Sequence, residues 1–128
     1  MDLYIAATND SPEVDFKFSK HTLTMKGEAF PEDASKFYYP IVVALDQYLK
    51  NTDKQEINFD FQLTYFNSAS TKMLFTIFQL LNKSASTNNR VLLNWHFDEE
   101  DDTIKDFGQE IAEDFPMLEL YLVETSQA

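Results

Sequence analysis

The serine hydroxyl best placed for chemistry lies where a strand gives way to a helix. The segment Asn67-Ser68-Ala69-Ser70 follows an alternating run and precedes a helical stripe. Short side chains of this kind accept hydrogen bonds from the first free N–H groups of a helix. The positive end of the helix dipole also favours an anion there. Asn67, Ser68 and Ser70 are therefore either helix caps alone or part of a site that carries a phosphate.

A catalytic use of the same serine is the main alternative. A Ser-His-Asp arrangement can be written with Ser68, His96 and an acid such as Asp60, but no glycine flanks the serine to make a nucleophile elbow. Asp60 also lacks the neighbouring carboxylates and lysine of an aspartyl-phosphate receiver. The sequence favours a protein modified by a kinase over a small hydrolase or phosphoryl-transfer enzyme.

Metal and cofactor sites lack the residues they need. The acidic run 98–102 has neither the alternating ligands nor the mid-loop glycine of a calcium loop. His21 and His96 are the only histidines, and there is no cysteine. With Gly27 and Gly108 as the only glycines, no glycine-rich phosphate loop can form. We expect no metal and no cofactor.

Charge and length limit the class of protein. The chain has 128 residues and a formal charge of −12, which predicts a single domain spanning residues 1–128 with a core of about 5–123. The charge argues against nucleic acid and against an anionic membrane surface. Neither a signal peptide nor a membrane-spanning segment is evident, so we expect a cytoplasmic protein without direct membrane insertion.

The hydrophobic periods predict an α/β fold in the order β-β-α-β-α-β-α-β. Ile57, Phe59, Phe61, Leu63 and Tyr65 alternate with polar residues and are expected to share one buried face. The pattern indicates a mixed five-stranded sheet with about three helices, gathered mainly on one side. The first hairpin is expected to be antiparallel and the later strands parallel.

The predicted elements follow from these periods. The hairpin strands cover about 14–18 and 22–26, and residues 27–33 break the pattern. The other strands cover about 57–66, 91–97 and 118–122. The first helix covers about 34–50 and is expected to be irregular near Pro40. The second follows residues 67–70 and closes near 82–84, and the third includes 104–111. The tail after Glu124 is expected to fray.

Several motifs make the chain resemble the SiaC family of bacterial regulatory phosphoproteins over about residues 5–123. The most specific are Gly27-Glu28-Ala29-Phe30-Pro31-Glu32 and Tyr65-Phe66-Asn67-Ser68-Ala69-Ser70. Thr8-x-x-Ser11-Pro12 and Trp95-His96-Phe97-Asp98 occur in the matching order. The resemblance implies a STAS-like fold, as in anti-sigma-factor antagonists, and a partner-switching function without catalysis.

The resemblance also implies partners and site residues. A protein kinase would phosphorylate Ser68, a PP2C-type phosphatase would remove the phosphate, and the dephosphorylated form would activate a diguanylate cyclase that controls cyclic di-GMP and biofilm formation. An adaptor of the anti-sigma-factor-antagonist type with a different effector is the alternative. Ser70 is the second candidate for modification. The expected partner-binding residues are Asn67, Ser70, Thr71, Phe30, Pro31 and Glu32, and a phosphate on Ser68 is expected to repel or block the effector.

Overall fold

The structure is a computed structural model and describes residues 2–126. Six strands form one mixed sheet in chain order, with three α-helices between the later strands. The strands are β1 (Leu3–Ile5), β2 (Glu13–Lys17), β3 (Thr22–Ala29), β4 (Glu56–Phe66), β5 (Arg90–Asp98) and β6 (Glu119–Thr125). The helices are α1 (Ala34–Lys50), α2 (Ser68–Ala85) and α3 (Asp102–Asp114).

The strand pairing agrees with the predicted mixture of directions. Strands β1, β2 and β3 are antiparallel, and β3 to β6 are parallel. The predicted count of five strands was wrong, because β1 adds a sixth strand before the hairpin. This strand has only three residues and lies at the sheet edge, where Leu3 pairs with Phe16 and Ile5 with Val14. So short a run has no period for a sequence to reveal.

Several strand and helix boundaries differ from the predicted ones. A 3₁₀ turn over Phe18–Lys20 joins β2 to β3, and His21 closes it with a positive φ of 53°. Strand β3 continues through Gly27 to Ala29 instead of ending at 26. Helix α1 is assigned without a break through Pro40, and Asp33 caps it. Strand β6 runs on to Thr125, beyond its expected end near 122; residues 127 and 128, where fraying was also expected, lie outside the described residues.

One face of the sheet holds the core and all three helices. Helices α2 and α3 pack on Trp95 through Phe78 and Phe107, with ring centroids 6.3 and 5.4 Å away. The Trp95 indole donates a 2.8 Å hydrogen bond to the Ile104 carbonyl, which ties α3 to β5. A Cβ at Gly108 would lie 2.4 Å from the Trp95 ring, so a glycine is required for this close approach.

Within residues 2–126, the other face of the sheet carries no helix. Asn58, Asp60 and Gln62 of β4 alternate with the fully buried side chains and are only half-buried. Asn94 and His96 of β5 repeat the pattern. This polar face matches the expected helices on one side. In residues 2–126, no helix is long and apolar enough to cross a membrane.

Candidate functional site

The junction of β4 and α2 presents Ser68 to solvent. Asn67 is the N-cap of α2, and its side-chain oxygen accepts a 2.9 Å hydrogen bond from the Ser70 N–H. The Thr71 hydroxyl donates to the Asn67 carbonyl at 3.0 Å. Ser68 is the first residue of the helix, and its side chain is exposed. Asn67 and Thr71 therefore build the cap, and Ser68 is left accessible beside the free N–H groups of the first turn.

Ser70 differs from Ser68 in its exposure. Its side chain is completely buried between α1 and α2, next to Tyr38, which is also fully buried. Burial raises the pKa of the Tyr38 phenol, and the neighbouring Ser70 hydroxyl opposes that shift. The two hydroxyl groups face each other without meeting full hydrogen-bond geometry. Of the two predicted acceptors of a phosphate, only Ser68 has its side chain exposed.

A shift in register changes the direction of the last residues of β4. Gly27 pairs with Leu63 and Glu28 pairs with Tyr65, which leaves Thr64 as an extra residue. Such a bulge reverses the alternation of side chains that follow it. Phe66 therefore turns into the core, where its ring lies 4.7 Å from that of Phe107. Gly27 supplies the matching backbone, with a φ of +117°.

The placement of Tyr65 on the buried face was therefore wrong. Its side chain is 51% exposed and points away from the helices. The Phe30 ring packs against it edge to face, with centroids 5.7 Å apart. Two large aromatic side chains thus lie together at the surface, next to the start of α2. We call Phe30 and Tyr65 the aromatic pair.

The loop after β3 lies at the same end of the sheet as Ser68. The Asn67 N–H donates to the Ala29 carbonyl at 3.1 Å, so the loop starts beside the α2 cap. The Phe30 N–H donates to the Asp10 carbonyl at 2.7 Å. Phe30 and Glu32 are exposed, whereas Pro31 is buried. Pro31 therefore offers little exposed surface of its own to a partner.

The residues of the alternative enzyme are not brought together. Asp60 and His96 lie on the uncovered face of the sheet, with carboxylate and imidazole 3.5 Å apart. Ser68 is eight residues beyond Asp60 in the chain, and six of those steps are extended strand, about 20 Å of backbone. The three side chains do not surround one pocket, which a nucleophile, a base and an acid would require. Residues 2–126 also contain no group of three His, Asp or Glu side chains placed to hold a metal ion.

A cleft that the sequence did not predict lies on the uncovered face of the sheet. Its volume is about 810 Å³, and it crosses the carboxyl-terminal halves of β3, β4 and β5. Its lining includes Lys26, Gln62, Thr64, His96 and the loop of residues 98–103. The acidic run was visible in the sequence, but nothing there showed that the run borders a concavity. The bulge beside the cleft depends on the pairing of Gly27 with a distant strand, so no local signal in the sequence would have shown it.

Known proteins resemble this chain in sequence and in fold. A family model described as SiaC family regulatory phosphoprotein matches residues 5–125. An uncharacterised protein of Pseudomonas aeruginosa (strain UCBPP-PA14) is 25% identical over 113 residues, 88% of this chain and 89% of that protein. SiaC of Pseudomonas aeruginosa superposes with a TM-score of 0.84 at 22% identity, over 99% of both chains.

A second structure has the same fold. The crystal structure of the diguanylate cyclase SiaD in complex with its activator SiaC, from Pseudomonas aeruginosa, contains a chain that superposes with a TM-score of 0.85. The identity is 22%, and the match covers 98% of this chain and 100% of the other. These two structures establish that the fold is shared.

Proposed function

Because this chain belongs to the SiaC family of regulatory phosphoproteins, we propose that it is a non-catalytic partner-switching protein, reversibly phosphorylated on Ser68. A protein kinase adds the phosphate, and a PP2C-type phosphatase removes it. The dephosphorylated form binds and activates a diguanylate cyclase, which raises cyclic di-GMP and favours biofilm formation. Residues 1–128 serve this function as one regulatory domain of STAS-like type.

The contrast between Ser68 and Ser70 carries the proposal. A kinase must bring the hydroxyl of its substrate into its own active site, so the acceptor must project from the surface. Ser68 is exposed at the start of α2, whereas Ser70 is fully buried against Tyr38. A phosphate on Ser70 would require the packing of α1 on α2 to open. Ser68 is therefore the acceptor.

The choice of a cyclase as effector has separate support. SiaC of Pseudomonas aeruginosa is described as the activator of the diguanylate cyclase SiaD, and its chain has the fold of this one over nearly its full length. Asn67 and Thr71 form the cap beside Ser68, and the loop that carries Phe30 and Glu32 begins next to Asn67 at the same end of the sheet. We propose that these residues and Tyr65 contact the effector.

The phosphate acts on the surface and leaves the fold intact. It adds about −1.5 to −2 charges at neutral pH. At the start of α2 those charges meet free N–H groups and the positive end of the dipole, so the helix tolerates them. Tyr65 is three residues before Ser68, and the two Cα atoms lie within about 11 Å. A hydrated dianion so close to the aromatic pair blocks contact with an apolar surface of the effector.

The test measures how well different forms of this protein bind and activate the diguanylate cyclase encoded in the same genome. The phosphorylated protein, Ser68→Asp and Ser68→Ala are each compared with the unmodified wild type. After incubation with the cognate kinase and ATP, mass spectrometry should place one phosphate on Ser68. The phosphorylated protein and Ser68→Asp should bind and activate the cyclase at least about tenfold less well than wild type, as expected when a charge is forced against an interface. Ser68→Ala should activate the cyclase and stay active in the presence of the kinase.

The controls separate modification from unfolding. Ser70→Ala keeps Ser68 and should still be phosphorylated, so loss of the phosphate in this folded variant would shift the assignment to Ser70. Circular dichroism must show that Ser68→Asp is folded. If Ser68→Ala and the wild type capture a different protein and leave the cyclase unbound, the switch stands and the effector is another one.

A further inference from the structure

The cleft on the uncovered sheet face and the aromatic pair form one continuous surface. Thr64 lines the cleft, and Tyr65 follows it directly. Gly27 also lines the cleft and lies opposite the bulge that turns Tyr65 outward. The cleft therefore opens next to two exposed aromatic rings. No helix of the described chain covers this side of the sheet, which is accessible to a partner.

The far wall of the cleft is acidic. Asp98 accepts a 2.9 Å hydrogen bond from the Glu100 N–H, and Asp101 caps α3 by accepting from the Ile104 N–H at 3.0 Å. Glu99 and Glu100 are exposed, and no basic side chain within residues 2–126 forms an ion pair with an acid of the run 98–102. Turn and cap account for the side chains of Asp98 and Asp101, but the carboxylates of Glu99 and Glu100 form no hydrogen bond or ion pair with any residue from 2 to 126.

A surface with the aromatic pair on one side and carboxylates without ion pairs on the other limits the kinds of partner that can bind. Exposed aromatic side chains bind apolar groups, and carboxylates bind guanidinium and ammonium groups. Nucleic acid is unsuitable because it is an anion. A second copy of this chain is also unsuitable, since two molecules of charge −12 repel each other. A protein segment that carries Lys or Arg beside an apolar residue fits both halves.

We infer that this cleft is the docking surface for a basic, partly apolar segment of the effector, with the apolar residue on the aromatic pair and the basic residues against Glu99 and Glu100. The inference rests on the proposed function for the identity of the occupant. It also explains how two opposed electrostatic effects combine. A phosphate on Ser68 adds to the attraction for a basic segment at long range, but it obstructs the aromatic contact that holds the segment in place.

The test uses a defined probe and does not need the effector. A short synthetic peptide with Leu and Trp flanked by Lys and Arg is titrated into the ¹⁵N-labelled protein at low salt. The amide resonances that shift should be those of Thr64, Tyr65 and residues 96–103. The double variant Glu99→Gln/Glu100→Gln should raise the Kd for the peptide by about three- to tenfold, as expected for the loss of two surface ion pairs.

The matched control removes the same charge elsewhere. Glu110→Gln/Glu113→Gln, at exposed positions of α3, also removes two of the negative charges and changes the net charge from −12 to −10. This variant should raise the Kd by less than about twofold, because the ion pairs of Glu99 and Glu100 with the peptide are retained. If both double variants weakened peptide binding equally, the peptide would be attracted by the net charge of the protein and not by Glu99 and Glu100. That result would overturn the inference.

A second pair of variants tests the contribution of the aromatic pair. Tyr65→Thr should weaken binding of the peptide. Tyr121→Thr is the control: Tyr121 is also an exposed strand tyrosine on the uncovered face, and its replacement should leave peptide binding unchanged. Resonance shifts confined to another surface would also overturn the docking site. If the peptide binds as described and no cyclase is activated, the proposed function fails and this surface stands. If a cyclase is activated and the Glu99/Glu100 variant still activates it fully, the surface fails and the function stands.

Discussion

The two ends of the parallel strands differ in how their polar groups are satisfied. At the amino-terminal end, Arg90 donates to both oxygens of Glu119 at 2.6 and 2.9 Å and to Glu56 at 3.2 Å. Asn89 makes three further hydrogen bonds there. At the carboxyl-terminal end, Ser68 is exposed, the aromatic pair faces solvent and the acids of residues 98–102 form no ion pairs within the described chain.

The difference indicates which end stabilises the fold and which end meets partners. Buried hydrogen bonds that close within the chain hold loops in one conformation. Exposed apolar rings and unpaired charges contribute little to folding and are available to another molecule. Open α/β sheets commonly bind their ligands at the carboxyl ends of the strands, where the loops that follow the strands have room to vary.

The largest expected effect is on the stabilising end. Buried Asn89 accepts from the Gln55 N–H at 3.0 Å and donates to the Thr52 carbonyl and the Ser84 hydroxyl at 3.0 and 2.9 Å. Asn89→Ala leaves these groups unpaired and should lower the free energy of unfolding by about 3 kcal/mol. Urea denaturation is the measurement, and exposed Asn88→Ala is the control. Effects of equal size would contradict the role of the network.

The next effect should appear at the partner end. Gly27 has a φ of +117°, a conformation that L side chains rarely adopt, although a Cβ would meet only the Pro12 Cα at an ordinary 3.7 Å. Gly27→Ala should cost about 2 kcal/mol of stability from backbone strain alone. The variant should also disturb the bulge, so that the amide resonance of Tyr65 and effector binding change together. Lys26→Ala, one residue away, should change neither the stability nor the Tyr65 resonance to a comparable extent.

A smaller effect should appear at alkaline pH. Burial raises the pKa of Tyr48 to about 12, and its hydroxyl lies 2.6 Å from Nδ1 of His21. The folded state holds this proton above the ordinary tyrosine pKa near 10, so its stabilisation is complete below pH 10 and is lost as the pH rises towards 12. With allowance for partial exposure, the loss is about 1–2 kcal/mol.

The measurement is urea unfolding at several values between pH 9 and 11. Tyr48→Phe should flatten the decline of stability over this range, because the group that loses its proton is gone. Tyr39→Phe is the control, since Tyr39 is 70% exposed. A decline as steep in Tyr48→Phe as in the wild type would assign the alkaline loss to other groups.

The sequence predicted more of the fold than of the surface, for a physical reason. Burial imposes periods of two and 3.6 residues, so the helices, the buried face of β4 and the cap at Asn67 could all be anticipated. The bulge at Thr64 depends on pairing with Gly27 of a distant strand, which no local period records. The exposure of Tyr65 and the burial of Pro31 and Ser70 follow from such tertiary pairings. The cleft likewise exists only after three strands are assembled.

The smallest expected effect concerns Ser68 itself. A negative charge on the first residue of α2 interacts favourably with the dipole, and the same charge at the last residue interacts unfavourably. Relative to the neutral Ser68→Asn, Ser68→Asp should raise the free energy of unfolding by about 0.3–1 kcal/mol. Ser86 is the C-cap of the same helix, so Ser86→Asp relative to Ser86→Asn should lower it by a similar amount. The matched amides cancel the loss of each hydroxyl. If Ser68→Asp instead unfolds the protein, a phosphate on Ser68 would act by opening the helix, and the two ends of the sheet would not divide stability from partner binding.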